Sequence, residues 1–129
     1  FDWIAKGLEK KKANPTILGI KHSEIEIKQY KKQARVLVGE RLKYFNKHYN
    51  FKYNRVAIRN QKSRWGSCSS SKNLNFNYRL AMLPVELADY IIVHELCHLG
   101  EMNHSKHFWS LVSQTIPDHK NIQKKLKKI

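Results

Sequence analysis

The sequence predicts a compact α+β fold, in which a small antiparallel β-hairpin or sheet packs on one central helix with further helices around it. Apolar residues recur at helical spacing before residue 49 and again after residue 84. Between these stretches, residues 74–80 alternate apolar and polar side chains, as a strand does. Because the chain has 129 residues and is 41% hydrophobic, we expect one domain spanning residues 1–129.

The first predicted elements are helical. Residues 2–13 look like the end of a helix, and we expect residues 1–20 to be the remnant of an N-terminal helical segment because the chain begins with Phe rather than Met. Ser23 and Glu26 form a capping box, which predicts a helix running to about His48. The aromatic residues at 49, 51 and 53 then alternate as they would in a strand.

The middle of the chain predicts a hairpin. A strand-like stretch runs from Val56 to Cys68, residues 69–73 read as a turn, and the alternating residues 74–80 form the partner strand. If strand 74–80 lies at the sheet edge, it can bind an extended peptide by added β-pairing. Its polar face, formed by Asn75, Asn77 and Arg79, would then be exposed.

Three helices are predicted after the hairpin. Pro84 fits the first turn of a helix that runs to about Leu99, with Gly100 as its stop. A helical stripe from Phe108 to Ile116 ends before Pro117. Asp118 can cap a last helix, whose apolar residues lie among five lysines at 120, 124, 125, 127 and 128.

Charge and cysteine content narrow the partners and the compartment. The formal net charge is +15, from 25 Lys and Arg against 10 Asp and Glu, which favours a polyanionic partner such as nucleic acid bound without sequence preference. Exposed lysines at 124, 125 and 128 could join those at 10–12, 31 and 32 in one basic surface. Two cysteines are too few for a disulfide framework, so we expect a cytoplasmic protein, and no run is long enough to span a membrane.

The residues from His94 to His98 read H-E-x-x-H, and His104 follows six residues later. On a helix, His94 and His98 lie one turn apart on one face and can bind one Zn²⁺ ion. Glu95 lies about 100° around the helix, where it can act as the general base on a metal-activated water. Composition alone predicts about 0.02 H-E-x-x-H matches in this chain.

His104 is the best candidate for the third ligand. Gly100 lets the chain leave the helix and return an imidazole to the metal, and three histidines plus water are typical of catalytic zinc. Glu101, His107 and Asp118 are alternatives. For the oxyanion, the nearest candidate donors in sequence are Arg64, Tyr78 and Arg79, and each of these is at least as consistent with an ordinary surface residue of the hairpin.

Four segments together resemble the YgjP-like metallopeptidase family, which is related to the SprT-like and WLM zinc proteases. They are Arg64-Trp65-Gly66-Ser67-Cys68, Leu74-Asn75-Phe76-Asn77-Tyr78-Arg79-Leu80, the H-E-x-x-H segment, and Asn103-His104-Ser105-Lys106-His107-Phe108-Trp109. The resemblance spans about residues 20–116.

The resemblance implies a compact zincin core, with one zinc ion held by His94, His98 and His104, and Glu95 as catalytic base. It also implies that the hairpin borders the cleft and that the substrate is a peptide or protein. SprT-like and WLM relatives act on proteins bound to DNA, which would give the basic surface a purpose. Two alternatives stay open: a metal-dependent nucleotide or phosphoanhydride hydrolase, and a nucleic-acid-associated zinc-binding module.

Overall fold

A computed structural model describes residues 17–129 as an α+β fold with four helices and a mixed three-stranded sheet. The predicted helix over residues 2–13 lies outside the described residues, and Ile17–Gly19 form a single 3₁₀ turn. The longer elements are α1 (Glu24–Tyr49), β1 (Arg55–Arg59), β2 (Gly66–Cys68), β3 (Asn73–Asn77), α2 (Val85–Cys97), α3 (Lys106–Ser113) and α4 (His119–Lys127). No helix within residues 17–129 is long and apolar enough to cross a membrane.

Helix α1 begins and ends as its sequence predicts. The Ser23 hydroxyl accepts from the Glu26 amide, and the Glu26 carboxylate accepts from the Ser23 amide, so the predicted capping box is confirmed. Its buried stripe is Ala34, Val38, Leu42 and Phe45. At the other end Asn50 adopts a left-handed conformation with φ 55°, which closes the helix.

The strand predicted from the aromatic residues at 49, 51 and 53 is wrong. Tyr49 is the last residue of α1, and its ring stacks on Phe51 at 5.5 Å. The Asn46 side chain bonds both the amide and the carbonyl of Phe51, at 2.9 and 2.8 Å. These two bonds replace the backbone hydrogen bonds that a strand would supply, and the alternation of aromatic residues does not mark a strand.

The sheet has the order β1-β3-β2, so β3 is the central strand. The predicted hairpin is confirmed for β2 and β3, which pair antiparallel with Gly66 opposite Phe76. The predicted stretch 56–68 is instead two strands, and β1 pairs parallel with β3 on its other side. The condition for peptide pairing at strand 74–80, that this strand lies at the sheet edge, is therefore not met, because β3 has a partner along both sides; β2 is an edge strand.

Strand β3 ends at Asn77, three residues earlier than predicted. The Asn77 side chain accepts from the Arg79 amide at 3.0 Å and donates to the carbonyls of Gln61 and Arg64. These bonds turn the chain into the 3₁₀ segment Tyr78–Met82. Tyr78 and Leu80 are buried there, and so are Asn77 and Arg79, so burial does not alternate past the end of the strand.

Helix α2 runs through the centre of the molecule, as predicted, with Pro84 at its N-cap position. Every residue from Leu87 to Cys97 is buried, and the helix contacts α1, the sheet, α3 and α4. Gly100 lies just beyond the end of this helix. Close packing favours glycine there, because a Cβ atom would lie 2.7 Å from the Phe51 ring. Cys68 and Cys97 are both free thiols, in agreement with the absence of a disulfide framework.

Helices α3 and α4 follow the predicted stripes. α3 ends at Ser113, and its buried residues are Phe108 and Val112. Asp118 stands at the N-cap position of α4, but its side chain makes no capping bond and accepts instead from the Asn121 side chain at 2.7 Å. Ile122 and Leu126 pack α4 into the core that it shares with α2.

Candidate metal centre

His94, His98 and His104 come together at one point of the fold. Each offers one ring nitrogen, and the three nitrogens lie within 4.8 Å of one another. The Nε2 atoms of His94 and His104 are 3.2 Å apart. Two ligands on a tetrahedral Zn²⁺ with bonds of about 2.0–2.1 Å are separated by about 3.3–3.4 Å. The spacing of these two nitrogens therefore fits the edge of such a tetrahedron, and the three imidazoles can hold one divalent ion.

The opposite ring nitrogens of two of these histidines have hydrogen-bond partners. Nδ1 of His98 lies 3.1 Å from the carbonyl oxygen of Glu101, so this nitrogen must carry the proton and donate it. Nδ1 of His94 lies 3.4 Å from the hydroxyl of Tyr90, one helical turn earlier. Such contacts orient an imidazole and leave Nε2 to act as the ligand atom. Tyr90 was not predicted from the sequence as a site residue.

The three alternative ligands lie outside this cluster. Among residues 17–129, the histidines at 94, 98 and 104 are the group of His, Cys, Asp or Glu side chains close enough to share an ion. Glu101 contributes its backbone carbonyl to His98, while His107 and Asp118 are exposed. The geometry thus favours His104 among the candidates that the sequence left open.

Glu95 is buried at 1% exposure beside the histidines and packs against strand β2. A Cβ atom added to Gly66 would lie 3.0 Å from Cγ and 3.4 Å from Oε2 of Glu95, and 3.0 Å from the Asn75 carbonyl oxygen. Glycine at position 66 therefore leaves the space that the Glu95 side chain occupies. The sequence showed Gly66 only as part of a family segment, because its role depends on a contact with a helix 29 positions away.

Aromatic rings from α3 surround the three imidazoles. The Phe108 ring stacks on His98 at 4.4 Å and lies 5.0 Å from His94 and 5.1 Å from His104. The Trp109 ring stacks on His104 at 6.0 Å. These contacts fix the planes of the imidazoles and place an apolar wall beside them, which strengthens electrostatic interactions at the site. Both residues stand in a segment that carries the family resemblance, but their role was not predicted.

The side chains proposed from the sequence as substrate contacts do not lie together on one exposed face. Asn75 pairs with Ser67, the residue after Gly66 in β2. Because side chains alternate between the two faces of a sheet, Asn75 lies on the other face from Gly66 and points away from Glu95. Its amide contacts Arg59 at 3.2 Å and Ser67 at 3.4 Å. Arg64 is half-buried and lies two residues before Gly66, on the approach to β2.

Three further proposed contacts are buried in structural roles, which corrects the expectation of an exposed polar face. Asn77 caps the 3₁₀ segment, as described above. The Tyr78 hydroxyl lies 2.8 Å from Nδ1 of His22, and the Tyr78 ring stacks on Tyr30 of α1. Arg79, 4% exposed, donates to the carbonyls of Ile20 and Gln61 at 2.9 and 3.0 Å. These side chains join the 3₁₀ segment to neighbouring parts of the fold.

The described part of the predicted basic surface lies at the C-terminal end of the chain. The five lysines of the last helical segment, at 120, 124, 125, 127 and 128, are all exposed, and Lys125 pairs with Glu86 at 3.2 Å. The lysines at 10–12 lie outside the described residues. Nucleic-acid binding therefore rests on charge alone and stays a prediction.

Comparison with known proteins agrees with the chemistry of this cluster. In solved structures, the chain is similar to the crystal structure of the metallopeptidase zymogen of Pyrococcus abyssi abylysin, with a TM-score of 0.64 and 25% identity; the match covers 70% of this chain and 92% of that one. A search of curated proteins finds no match. The family described as the YgjP-like metallopeptidase domain matches residues 3–129. The chain belongs to the YgjP-like metallopeptidase family.

Proposed function

We propose that this protein is a zinc-dependent metallopeptidase of the H-E-x-x-H type, in which His94, His98 and His104 hold the metal and Glu95 acts as general base. The observation that carries the proposal is the convergence of three imidazoles, together with the burial of Glu95, which directly follows His94 in α2. An all-nitrogen set of three ligands suits zinc and leaves a coordination position for water or substrate. When bound, zinc supplies Lewis acidity, which polarises a carbonyl and lowers the pKa of water.

Glu95 is the group that moves the proton in this proposal. Its carboxylate takes a proton from the attacking water and passes it to the leaving nitrogen of the peptide bond. Burial against Gly66 limits the positions that the carboxylate can occupy, which supports this assignment. Glu95 is not counted as a ligand, because the three histidines already form the cluster.

We propose that the substrate main chain pairs with the outer edge of β2. β2 is a terminal strand of the sheet, and its first residue, Gly66, contacts the side chain of Glu95. An extended peptide added at this edge would pass beside the general base, by the β-pairing that many peptide-binding proteins use. Arg64 is the candidate substrate or oxyanion contact that this arrangement favours, since it leads directly into β2.

The competing function is hydrolysis of nucleotides or other phosphoanhydrides. Parallel assays of a denatured protein and a set of nucleoside triphosphates separate the two classes. Each is run with zinc-loaded protein, with chelator-treated protein, and after zinc is restored. We expect protein cleavage that is lost with the chelator and recovered with zinc, and no release of phosphate. Zinc-dependent phosphate release without protein cleavage would reverse the assignment, and zinc binding without either reaction would favour a binding module.

A further inference from the structure

A groove opens between α3 and α4, directly beside the cluster of three histidines. Its volume is about 840 Å³, and it reaches His104 at one end. One side is lined by α3, whose Lys106, Trp109 and Ser113 are separated by three and four residues and so share a helix face. The other side is lined by residues of α4. A substrate bound at the metal therefore has a place for a neighbouring side chain in this groove.

The floor of the groove is aromatic and uncharged. The Trp109 ring lies between two imidazoles, stacked on His104 at 6.0 Å and on His119 at 5.0 Å. Burial lowers the pKa of His119, and the nearby charge of Lys120 lowers it further. At neutral pH the His119 ring is therefore neutral and serves as part of the floor rather than as a cation.

The charge of the groove comes from two lysines on opposite walls. Lys106 and Lys120 are both exposed, and the lining includes no Asp or Glu among the described residues. Ser113 and Gln123 add hydrogen-bonding groups. An apolar floor with two cations at its rim is complementary to a side chain that has an aliphatic stem and a carboxylate end.

We propose that this groove is a specificity subsite that binds an acidic side chain of the polypeptide substrate, with Lys106 and Lys120 as the residues that select it. This inference rests on the proposed peptidase function and names the substrate class. Glutamate fits both features, since its methylene groups can lie on Trp109 while its carboxylate reaches the two lysines. Exposed ion pairs are individually weak, so two of them support a preference of about tenfold over an uncharged residue.

Peptide libraries provide the test. One position at a time is set to Glu, Gln, Leu or Lys, zinc-loaded enzyme is added, and mass spectrometry locates the cleaved bonds. We expect Glu to exceed Gln in kcat/KM by about tenfold at one position near the scissile bond. The double variant Lys106→Glu/Lys120→Glu should lose this preference and favour Lys. The matched control Lys32→Glu/Lys43→Glu changes the net charge equally on the exposed side of α1 and should keep it.

A binding measurement separates failure of this inference from failure of the proposed function. Fluorescence anisotropy of labelled libraries, with zinc-loaded Glu95→Gln protein, reports occupancy of the groove without turnover. If no peptide is cleaved but Glu libraries bind tighter than Gln libraries and the Lys106/Lys120 variant reverses this, the subsite stands and the peptidase assignment falls. Equal binding of Glu and Gln, a preference for Leu, or equal losses in both double variants would overturn the subsite.

Discussion

Gly66 and Glu95 are close neighbours: a Cβ atom added to Gly66 would lie 3.0 Å from Cγ of Glu95. This contact joins an edge strand of the sheet to the helix that carries two of the three clustered histidines. It limits the positions that the Glu95 carboxylate can occupy. It also connects the strand proposed to bind substrate with the residue proposed to move the proton.

We predict that Gly66→Ala reduces kcat strongly while zinc binding is retained. The added methyl group must displace either the Glu95 side chain or the β3 backbone at Asn75, because both lie 3.0 Å away. The matched control is Gly39→Ala in α1, where a Cβ meets nothing within 4 Å. That change should leave kcat unaltered and stabilise the helix by about 0.5–1 kcal/mol. Normal turnover by Gly66→Ala would show that the contact does not position Glu95.

His104→Ala should weaken zinc binding by more than about 100-fold. Loss of an outer partner of a ligand typically costs 10–100-fold in metal affinity, and loss of a ligand itself costs more. Titration of the metal-depleted protein with zinc measures the effect. His107→Ala, an exposed histidine three residues on, serves as the control and should bind zinc normally. Unchanged affinity in His104→Ala would transfer the third-ligand role to Glu101, His107 or Asp118.

The cluster of three histidines could be predicted from sequence because its members lie close together in the chain. His94 and His98 are fixed by helical spacing, and His104 follows six residues later, so a segment of eleven residues contains all three candidate ligands. The H-E-x-x-H helix and the capping box of α1 depend on equally local signals. The order of the strands could not be predicted in the same way. β1 pairs directly with β3 although β2 lies between them in the sequence, and no local pattern encodes that parallel register.

The roles of Tyr78 and Arg79 were missed for a related reason. The alternation of residues 74–80 correctly indicates that Tyr78 and Leu80 are buried, but it wrongly indicates that Asn77 and Arg79 are exposed. It does not show that Asn77 turns the chain into a 3₁₀ segment, because this depends on carbonyls supplied from residues 61 and 64. The groove between α3 and α4 likewise depends on how two helices pack.

Arg41→Ala should lower the free energy of unfolding by about 1.5–3 kcal/mol, the range for hydrogen bonds to charged groups. Arg41 holds both carboxylate oxygens of Asp89 at 2.8 and 2.9 Å, and Asp89 is only 8% exposed. Chemical denaturation measures the change. Lys125→Ala breaks the exposed pair with Glu86 and should cost less than about 1 kcal/mol. Equal losses of unfolding free energy in the two variants would show that the burial of Asp89 does not strengthen its ion pair with Arg41.

His119 should make the stability of the fold depend on pH. Burial lowers its pKa in the folded state, so the unfolded chain binds the proton more readily. The stability that neutral His119 contributes is fully present above the unfolded pKa of about 6.5. It is lost as the pH falls through the lower pKa of the folded state. The measurement compares the unfolding free energies of wild type and His119→Gln between pH 7.5 and 5. Because the two proteins share all other histidines, the difference between them reports the titration of His119.

We expect the wild type to lose stability relative to His119→Gln as the pH falls. A difference between the two proteins that stays constant over this range would mean that folding does not lower the pKa of His119.

The most direct test of the account is the rate of peptide hydrolysis by Glu95→Gln at the same zinc content as the wild type. Glutamine keeps the shape of the side chain beside Gly66 but cannot accept the proton. The account predicts unchanged zinc stoichiometry and fold, with turnover reduced about 10²–10⁴-fold, the usual contribution of a general base. Hydrolysis by Glu95→Gln at the wild-type rate would contradict the central claim that Glu95 is the base of a zinc metallopeptidase.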